Sequence, residues 1–137
     1  VTSGMLASAL ETLADAGIGR ESVQVVAAPG AFEMPVVAQR LCARKDVAAV
    51  LCFGLVLKGE TAHFEYVAGE CSRGCAAVSR EFAIPVGFGV LTCGTAEQAE
   101  ERASGKLGNK GWEAAVAALE MANLLTRLRA AREKTGR

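Results

Sequence analysis

VAAVLCFGLVLKGETAHFEYV, residues 47–67, is an apolar run that ends abruptly in a polar turn containing glycine. The apolar part, residues 47–57, carries no polar side chain and is rich in Val and Leu, which is typical of a parallel strand buried on both faces. After the turn, residues 64–82 predict a helix in spite of Gly69 and Gly74. A buried strand that leads into a helix is part of a βαβ unit, so this stretch predicts an α/β protein.

The rest of the chain continues this alternation of strands and helices. Two more strands are predicted, VQVVAA at residues 23–28 and IPVGFGVLT at residues 84–92. The first predicted helix begins after Thr2 or Ser3 and ends at Gly17, and the second begins at Pro35. A further helix begins at Thr95, which forms a capping box with Gln98. Residues 105–110 are predicted to form a loop, and the last helix runs from Trp112 to about Lys134. We therefore expect a single domain, residues 1–137, in which a parallel sheet lies between two layers of helices.

The charge balance argues against nucleic-acid and membrane partners. Fifteen Lys and Arg residues are matched by fifteen Asp and Glu residues, whereas a protein that binds nucleic acid or an anionic membrane presents a basic surface. Because 51% of the residues are hydrophobic, we expect a homo-oligomer that covers apolar surface. Neither a signal peptide nor an apolar run long enough to span a membrane is visible, so a cytoplasmic location is expected.

The five cysteines do not form a recognisable metal motif. They are Cys42, Cys52, Cys71, Cys75 and Cys93. Their number is odd, there is no CxxC pair, and His63 is the only histidine that could complete a metal site. We expect buried, reduced thiols and no bound metal.

Glycine and polar residues follow the predicted strands, where an α/β protein binds its ligands. His63, in KGETAHF after the central run, could carry a proton at neutral pH. Gly59 and Thr61 in the same turn are suited to cradling an anion, and phosphate is the expected one. Arg102 and Lys110 are candidate positive contacts for that phosphate.

The residues that follow the predicted strands also have explanations without function. Pro29 and Gly30 commonly form a tight turn, and Glu33 is favourable in the first turn of any helix. A lone loop histidine is more often a bystander than a catalyst, and an isolated Arg or Lys is usually a solvated surface charge. The spacing excludes the GxxxxGK[ST] loop of nucleotide hydrolases.

Five motifs in one order resemble the lumazine synthase family. They are APGAFEMP, GLVLKGETAHFEYV, IPVGFGVLT, EQAEERA and GNKGWEAA, and the resemblance extends from Val1 to about Leu128. It implies a three-layer αβα sandwich with a flavodoxin-like parallel sheet. It also implies condensation of 5-amino-6-ribitylaminouracil with 3,4-dihydroxy-2-butanone 4-phosphate to 6,7-dimethyl-8-ribityllumazine, phosphate and water, in riboflavin biosynthesis. The family uses no metal or organic cofactor and forms pentamers, some of which close into icosahedral shells of twelve pentamers.

The resemblance implies a role for particular residues. His63 matches the family's active-site histidine, expected to move protons during imine formation and phosphate elimination. Glu33 and the backbone of Ala31 and Phe32 are implied to hold the ribityl chain, and Val56 and Leu57 are implied to line the pyrimidine pocket. The residues implied to cradle the phosphate are Gly59, Glu60 and Thr61. From the adjacent subunit, Phe88 would wall the pocket, Arg102 would bind the phosphate and Lys110 would reach the pyrimidine.

The sequence departs from the family pattern in three places. The family usually has a further strand ahead of the segment that resembles residues 1–13, ending in an aromatic–Asn pair; we expect that strand to be missing from this sequence rather than from the polypeptide. Three of four strands are therefore expected here. Cys93 and Gly94 stand where Glu-Asn-like residues are more frequent, and Lys58 replaces a more frequent Arg, which keeps the charge and loses the fork geometry.

Two other classes of function remain open. One is a non-catalytic protein of the same fold that forms a shell or binds flavin or lumazine without turnover. The other is a flavodoxin-like flavin or nucleotide carrier, which rests on analogy of fold alone. The joint presence of His63, Arg102 and Lys110 favours the enzyme.

Overall fold

Two strands and five α-helices make up residues 1–104 and 108–134, the part of the chain that this computed structural model describes. They are α1 Thr2–Asp15, α2 Met34–Cys42, β1 Val50–Leu57, α3 His63–Phe82, β2 Val86–Cys93, α4 Ala96–Ser104 and α5 Lys110–Lys134. Short 3-10 turns cover Arg20–Ser22 and Ala31–Glu33. No helix in these ranges is both long and apolar enough to cross a membrane.

The sheet forms from the two most apolar runs of the sequence. β1 and β2 pair in parallel, with Val50 opposite Val86 and Leu57 opposite Cys93. On one face of β1, Cys52 and Val56 pack into a core shared with α2 and α3. On the other face, Phe53 packs with residues of α1 and α4. Helices therefore cover both faces, which confirms the three-layer αβα fold class.

The prediction of a strand at residues 23–28 is wrong, and the sheet has two strands instead of three among the residues that the structure describes. Val23 has extended dihedral angles, φ −119° and ψ 124°, but the backbone of residues 24–28 makes no hydrogen bond with another described backbone group. Val25 and Val26 are 47% and 45% exposed. A β-branched sequence favours a strand only where a neighbouring strand and a covering face are present, and here the described residues supply neither.

The predicted helix ends are mostly confirmed. Gly17 follows the end of α1 with a φ of +88°, a conformation that glycine adopts without strain. The hydroxyl of Thr95 accepts a hydrogen bond from the backbone N–H of Gln98 at 3.2 Å, which is the predicted cap of α4. The predicted cap of α1 is wrong, because the helix begins at Thr2 itself with Val1 before it and no side chain capping it.

The prediction of buried, reduced cysteines is confirmed for all five residues. The Sγ atoms of Cys52 on β1 and Cys75 on α3 lie 4.0 Å apart, where the helix packs on the sheet. Burial, reinforced by Cys75, raises the pKa of Cys71 to about 12. A hydrogen bond with Cys52, together with burial, raises the pKa of Cys75 as well. These thiols are therefore protonated at neutral pH and behave as small apolar core residues.

Candidate active site

A pocket of about 310 Å³ lies at the carboxyl end of β1. The end of the strand, the loop 58–62 and the first turns of α3 form its walls, and Ala31 closes one side. The lining residues are Ala31, Leu55, Val56, Leu57, Gly59, Thr61, His63, Phe64 and Val67. This is the end of a parallel strand at which α/β folds bind ligands.

His63 is the first residue of α3, so its position depends on how the helix begins. Its backbone N–H lies 3.5 Å from the hydroxyl of Thr61, and the N–H of Glu65 donates to the carbonyl of Ala62 at 3.0 Å. Ala62, the residue before the helix, has a methyl side chain, which cannot accept a hydrogen bond and so does not cap the helix. The exposed imidazole therefore lies beside the N-terminal end of a helix, where an anion is favoured.

The loop 58–62 is held by a hydrogen bond that extends the sheet beyond β1. The backbone N–H of Lys58 donates to the carbonyl of Cys93 at 2.7 Å, and its Nζ lies 5.7 Å from the centre of the Phe64 ring. A Cβ atom added at Gly59 would have no atom within 4 Å, so the backbone there is open to a ligand. Glu60 is exposed and does not line the pocket.

α2, which follows the turn that contains Ala31, packs closely against α3. A Cβ atom at Gly74, midway along α3, would lie 2.5 Å from Cγ of Pro35 in the first turn of α2. Glycine at this position therefore allows a contact that any larger residue would push apart. Ala31, in the turn that precedes α2, packs against the same core as α3. Ala31 lines the pocket, whereas Phe32, 56% exposed, and Glu33 do not.

Phe88, predicted to wall a substrate pocket, lies in a different groove of the same copy. It is opposite Cys52 in the sheet, and Leu57 at the pocket is five residues further along β1, or about 16 Å. The groove that contains Phe88 has a volume of about 400 Å³ and is lined by Ser79, Arg80, Ala83, Pro85, Val86, Gly87, Phe88, Ala117, Ala118, Met121 and Leu125. One copy therefore does not bring Phe88 and His63 together.

Arg102 and Lys110 also lie away from the pocket of their own copy. Arg102 is near the end of α4, on the opposite side of the sheet from α3, and its Nη1 donates to the carbonyl of Gln98 at 3.1 Å. Lys110 was predicted in a loop but is the first residue of α5, and its Nζ lies 3.1 Å from Oε2 of Glu113. The helix begins there because Oδ1 of Asn109 accepts hydrogen bonds from the N–H groups of residues 111 and 112. Residues 105–107 of the predicted loop lie outside the described residues.

Sequence reasoning missed three of the pocket-lining residues, Leu55, Phe64 and Val67. Leu55 lies two residues before Leu57, so the alternation of a strand could have placed it on the same face. Val67 lies four residues after His63, which is one helical turn. Within residues 1–104 and 108–134, no group of three His, Cys, Asp or Glu side chains is arranged to hold a metal ion.

Comparison with models of known protein families matches residues 1–126 to the family described as 6,7-dimethyl-8-ribityllumazine synthase. This match covers most of the 137 residues. The chain belongs to the lumazine synthase family. The resemblance stated from its sequence motifs is thereby confirmed, and the enzymes of this family are transferases of riboflavin biosynthesis.

Membership of the lumazine synthase family gives the pocket at β1 a chemical context. Six of the residues named from the sequence line it together: Ala31, Val56, Leu57, Gly59, Thr61 and His63. The apolar wall can hold a flat ring, and the open glycine backbone beside it can hold an anion. The single imidazole can carry a proton during a reaction between the two bound molecules.

Proposed function

We propose that this protein condenses 5-amino-6-ribitylaminouracil with 3,4-dihydroxy-2-butanone 4-phosphate, in the cytoplasm, to give 6,7-dimethyl-8-ribityllumazine, inorganic phosphate and water. The observation that carries the proposal is the pocket in which His63 lies beside Gly59 and Thr61, in a chain of the lumazine synthase family. Membership of the family indicates riboflavin biosynthesis, and the identity of the two substrates is what we propose.

His63 is the proton carrier of the proposed reaction. Imine formation between the amine and the ketone releases one water, elimination of phosphate requires removal of a proton from carbon, and ring closure onto the second nitrogen releases a second water. An imidazole can take up a proton and return it near neutral pH. The exposed position of the ring at the pocket supports this role. Holding the two substrates together supplies much of the remaining acceleration.

The two substrates occupy different parts of the pocket in this proposal. Val56 and Leu57 face the pyrimidine, and Ala31, Phe32 and Glu33 hold the ribityl chain. Ala31 and Phe32 contribute their backbone, and Glu33, whose side chain is exposed, contributes its carboxylate. Gly59, Glu60 and Thr61 hold the phosphate through backbone N–H groups and the hydroxyl, next to the N-terminal end of α3.

A second copy of the chain completes the site. Phe88 walls the pocket, Arg102 binds the phosphate and Lys110 reaches the pyrimidine, each from the neighbouring subunit. Two observations support sharing: these residues lie outside the pocket of their own copy, and α5 leaves large apolar side chains exposed, namely Met121, Leu124 and Leu128. We propose a pentamer, with a closed icosahedral shell of twelve pentamers as its largest form.

The direct test is to mix the two substrates with the purified full chain and to follow lumazine fluorescence and phosphate release together. Equal amounts of lumazine and phosphate, formed faster than in the uncatalysed mixture, are the expected result. Tight binding of lumazine without faster formation would instead identify a non-catalytic binding protein of the same fold. Bound flavin together with no condensation would favour a flavin carrier.

A further inference from the structure

Lys58 is a basic residue next to the pocket, and it has no role in the reaction proposed above. It follows the last residue of β1, and its backbone N–H is fixed by the carbonyl of Cys93 at 2.7 Å. Its side chain folds over the loop that it begins, with Nζ 5.7 Å from the centre of the Phe64 ring. Phe64 and Gly59, the residue after Lys58, both line the pocket, so the ammonium group lies near the pocket although Lys58 is not itself a lining residue.

Within residues 1–104 and 108–134, no positively charged residue lines the pocket of its own copy. None of its lining residues is a Lys or Arg, and Lys58 is the only Lys or Arg between Asp46 and Ser72 in the sequence. Within one copy, a phosphate dianion held in loop 58–62 would have backbone dipoles and one hydroxyl as its nearest partners, and the cation proposed for it above, Arg102, comes from the neighbouring subunit. A cation close to the loop would then be needed to balance the negative charge of the phosphate.

Lys58 is available for that purpose. Within residues 1–104 and 108–134 it forms no ion pair, although the exposed carboxylates of Glu60 and Glu65 are close to it in sequence. An ammonium on a flexible four-carbon stem can leave the face of an aromatic ring and meet an incoming anion at small cost.

We propose that Lys58 is a second cation of the phosphate subsite, supplied by the same copy that supplies His63. This inference rests on the proposed function and adds a residue to it. Lys58 attracts the phosphorylated substrate and compensates the charge of the phosphate after its C–O bond breaks, when the electron pair of that bond remains on the departing phosphate. Its contribution is electrostatic, so it depends on salt and on charge more than on shape.

The experiment compares Lys58→Met and Lys58→Arg with Lys45→Met. Lys45 is an exposed lysine before the other end of β1, so its substitution removes the same charge from the chain at a distance from the pocket. Steady-state kinetics give the KM of each substrate at low and high salt, and inhibition by inorganic phosphate gives its Ki. Phosphorus NMR titration with inorganic phosphate measures anion binding independently of turnover.

For Lys58→Met we expect the KM of the butanone phosphate and the Ki of phosphate to rise about three- to tenfold at low salt, and less at high salt. The KM of the pyrimidine substrate stays within error of the parent value. Lys58→Arg and Lys45→Met both behave like the parent. Equal values for Lys58→Met and Lys45→Met, or equal changes in the KM of both substrates, would overturn the proposal.

The two proposals fail in different ways. Absence of turnover by the parent protein contradicts the proposed function, and the phosphate titration then decides the role of Lys58. Weaker phosphate binding by Lys58→Met than by the parent and Lys45→Met still supports it. Identical binding by all three, or no binding by any of them, rejects it.

Discussion

At the pocket, the backbone fixes the Cα position of a residue more closely than the position of its side chain. His63 is the first residue of a 20-residue helix, so its Cα is held by α3 while its imidazole remains exposed. Pro35, four residues after Ala31, packs against Gly74, which has no side chain. A site of this kind separates positioning from chemistry, because the residues that place the imidazole are not those that transfer the proton.

Replacement of His63 by Ala is expected to lower kcat about a hundredfold, because one general acid–base group is lost while substrate positioning is kept. The exposed side chain makes no contact needed for folding, so thermal stability and oligomeric state should match the parent. Stopped-flow fluorescence of lumazine formation measures the change. A variant that turns over at the parent rate would show that another group carries the proton.

Substitution of Gly74 should disturb the packing of α2 on α3. For Gly74→Ala we expect a loss of about 1–3 kcal/mol in the free energy of unfolding, because the added methyl meets the Pro35 ring. Gly69→Ala is the matched control in the same helix, since its methyl would meet only the flexible guanidinium of Arg73. That change should be neutral or stabilising by up to about 1 kcal/mol. Urea unfolding of both variants checks the difference, and equal effects would contradict the role of Gly74.

At the scale of the elements, the sequence predicts what is local and fails where a partner is needed. β1 and β2 follow from continuous apolar runs, and the cap of α4 follows from Thr95 and Gln98. Residues 23–28 have an equally good β-branched sequence, yet they do not form a strand because pairing is not a property of the segment itself. Lys110 lies in α5 and not in the predicted loop, because the side chain of Asn109 caps the helix one residue earlier.

The thiol contacts between β1 and α3 should make stability depend on alkaline pH. Cys71 has a folded pKa of about 12, whereas an unfolded thiol ionises at about 8.5. Because the folded pKa is the higher one, the stabilising effect is complete below the unfolded pKa and is lost as pH rises toward the folded pKa. Urea unfolding at several pH values from neutral to alkaline should show this decline, with a shallower slope for Cys71→Ala. An identical slope for the variant would argue against it.

At the scale of the whole molecule, one copy supplies only part of the proposed site. The residues that follow β1 meet in a single pocket because they share one end of one strand, and the sequence was sufficient to predict that. Phe88, Arg102 and Lys110 could be assigned only through the family resemblance, because no pattern within one chain specifies which surface of a neighbour it contacts. Their roles therefore remain predictions about an assembly.

Mixing two inactive variants tests the sharing of the site. His63→Ala and Arg102→Ala are each expected to be nearly inactive alone. When the two are unfolded and reassembled together, some interfaces combine the intact His63 of one copy with the intact Arg102 of its neighbour. Random mixing predicts recovery of roughly a quarter of parent activity. No recovery in mixed assemblies of normal size would mean that both residues serve the site of their own copy.

The unpaired segment at residues 24–28 has a consequence for hydrogen exchange. Its amide protons donate to no described backbone acceptor, so in heavy water they should be replaced by deuterium almost as fast as in a denatured chain. The amides of β1 that donate to β2 should retain their protons far longer. Mass spectrometry after a brief labelling pulse would therefore detect early uptake in the peptide that contains Val25 and Val26, and any molecule that laid an extended backbone against this segment would slow that uptake.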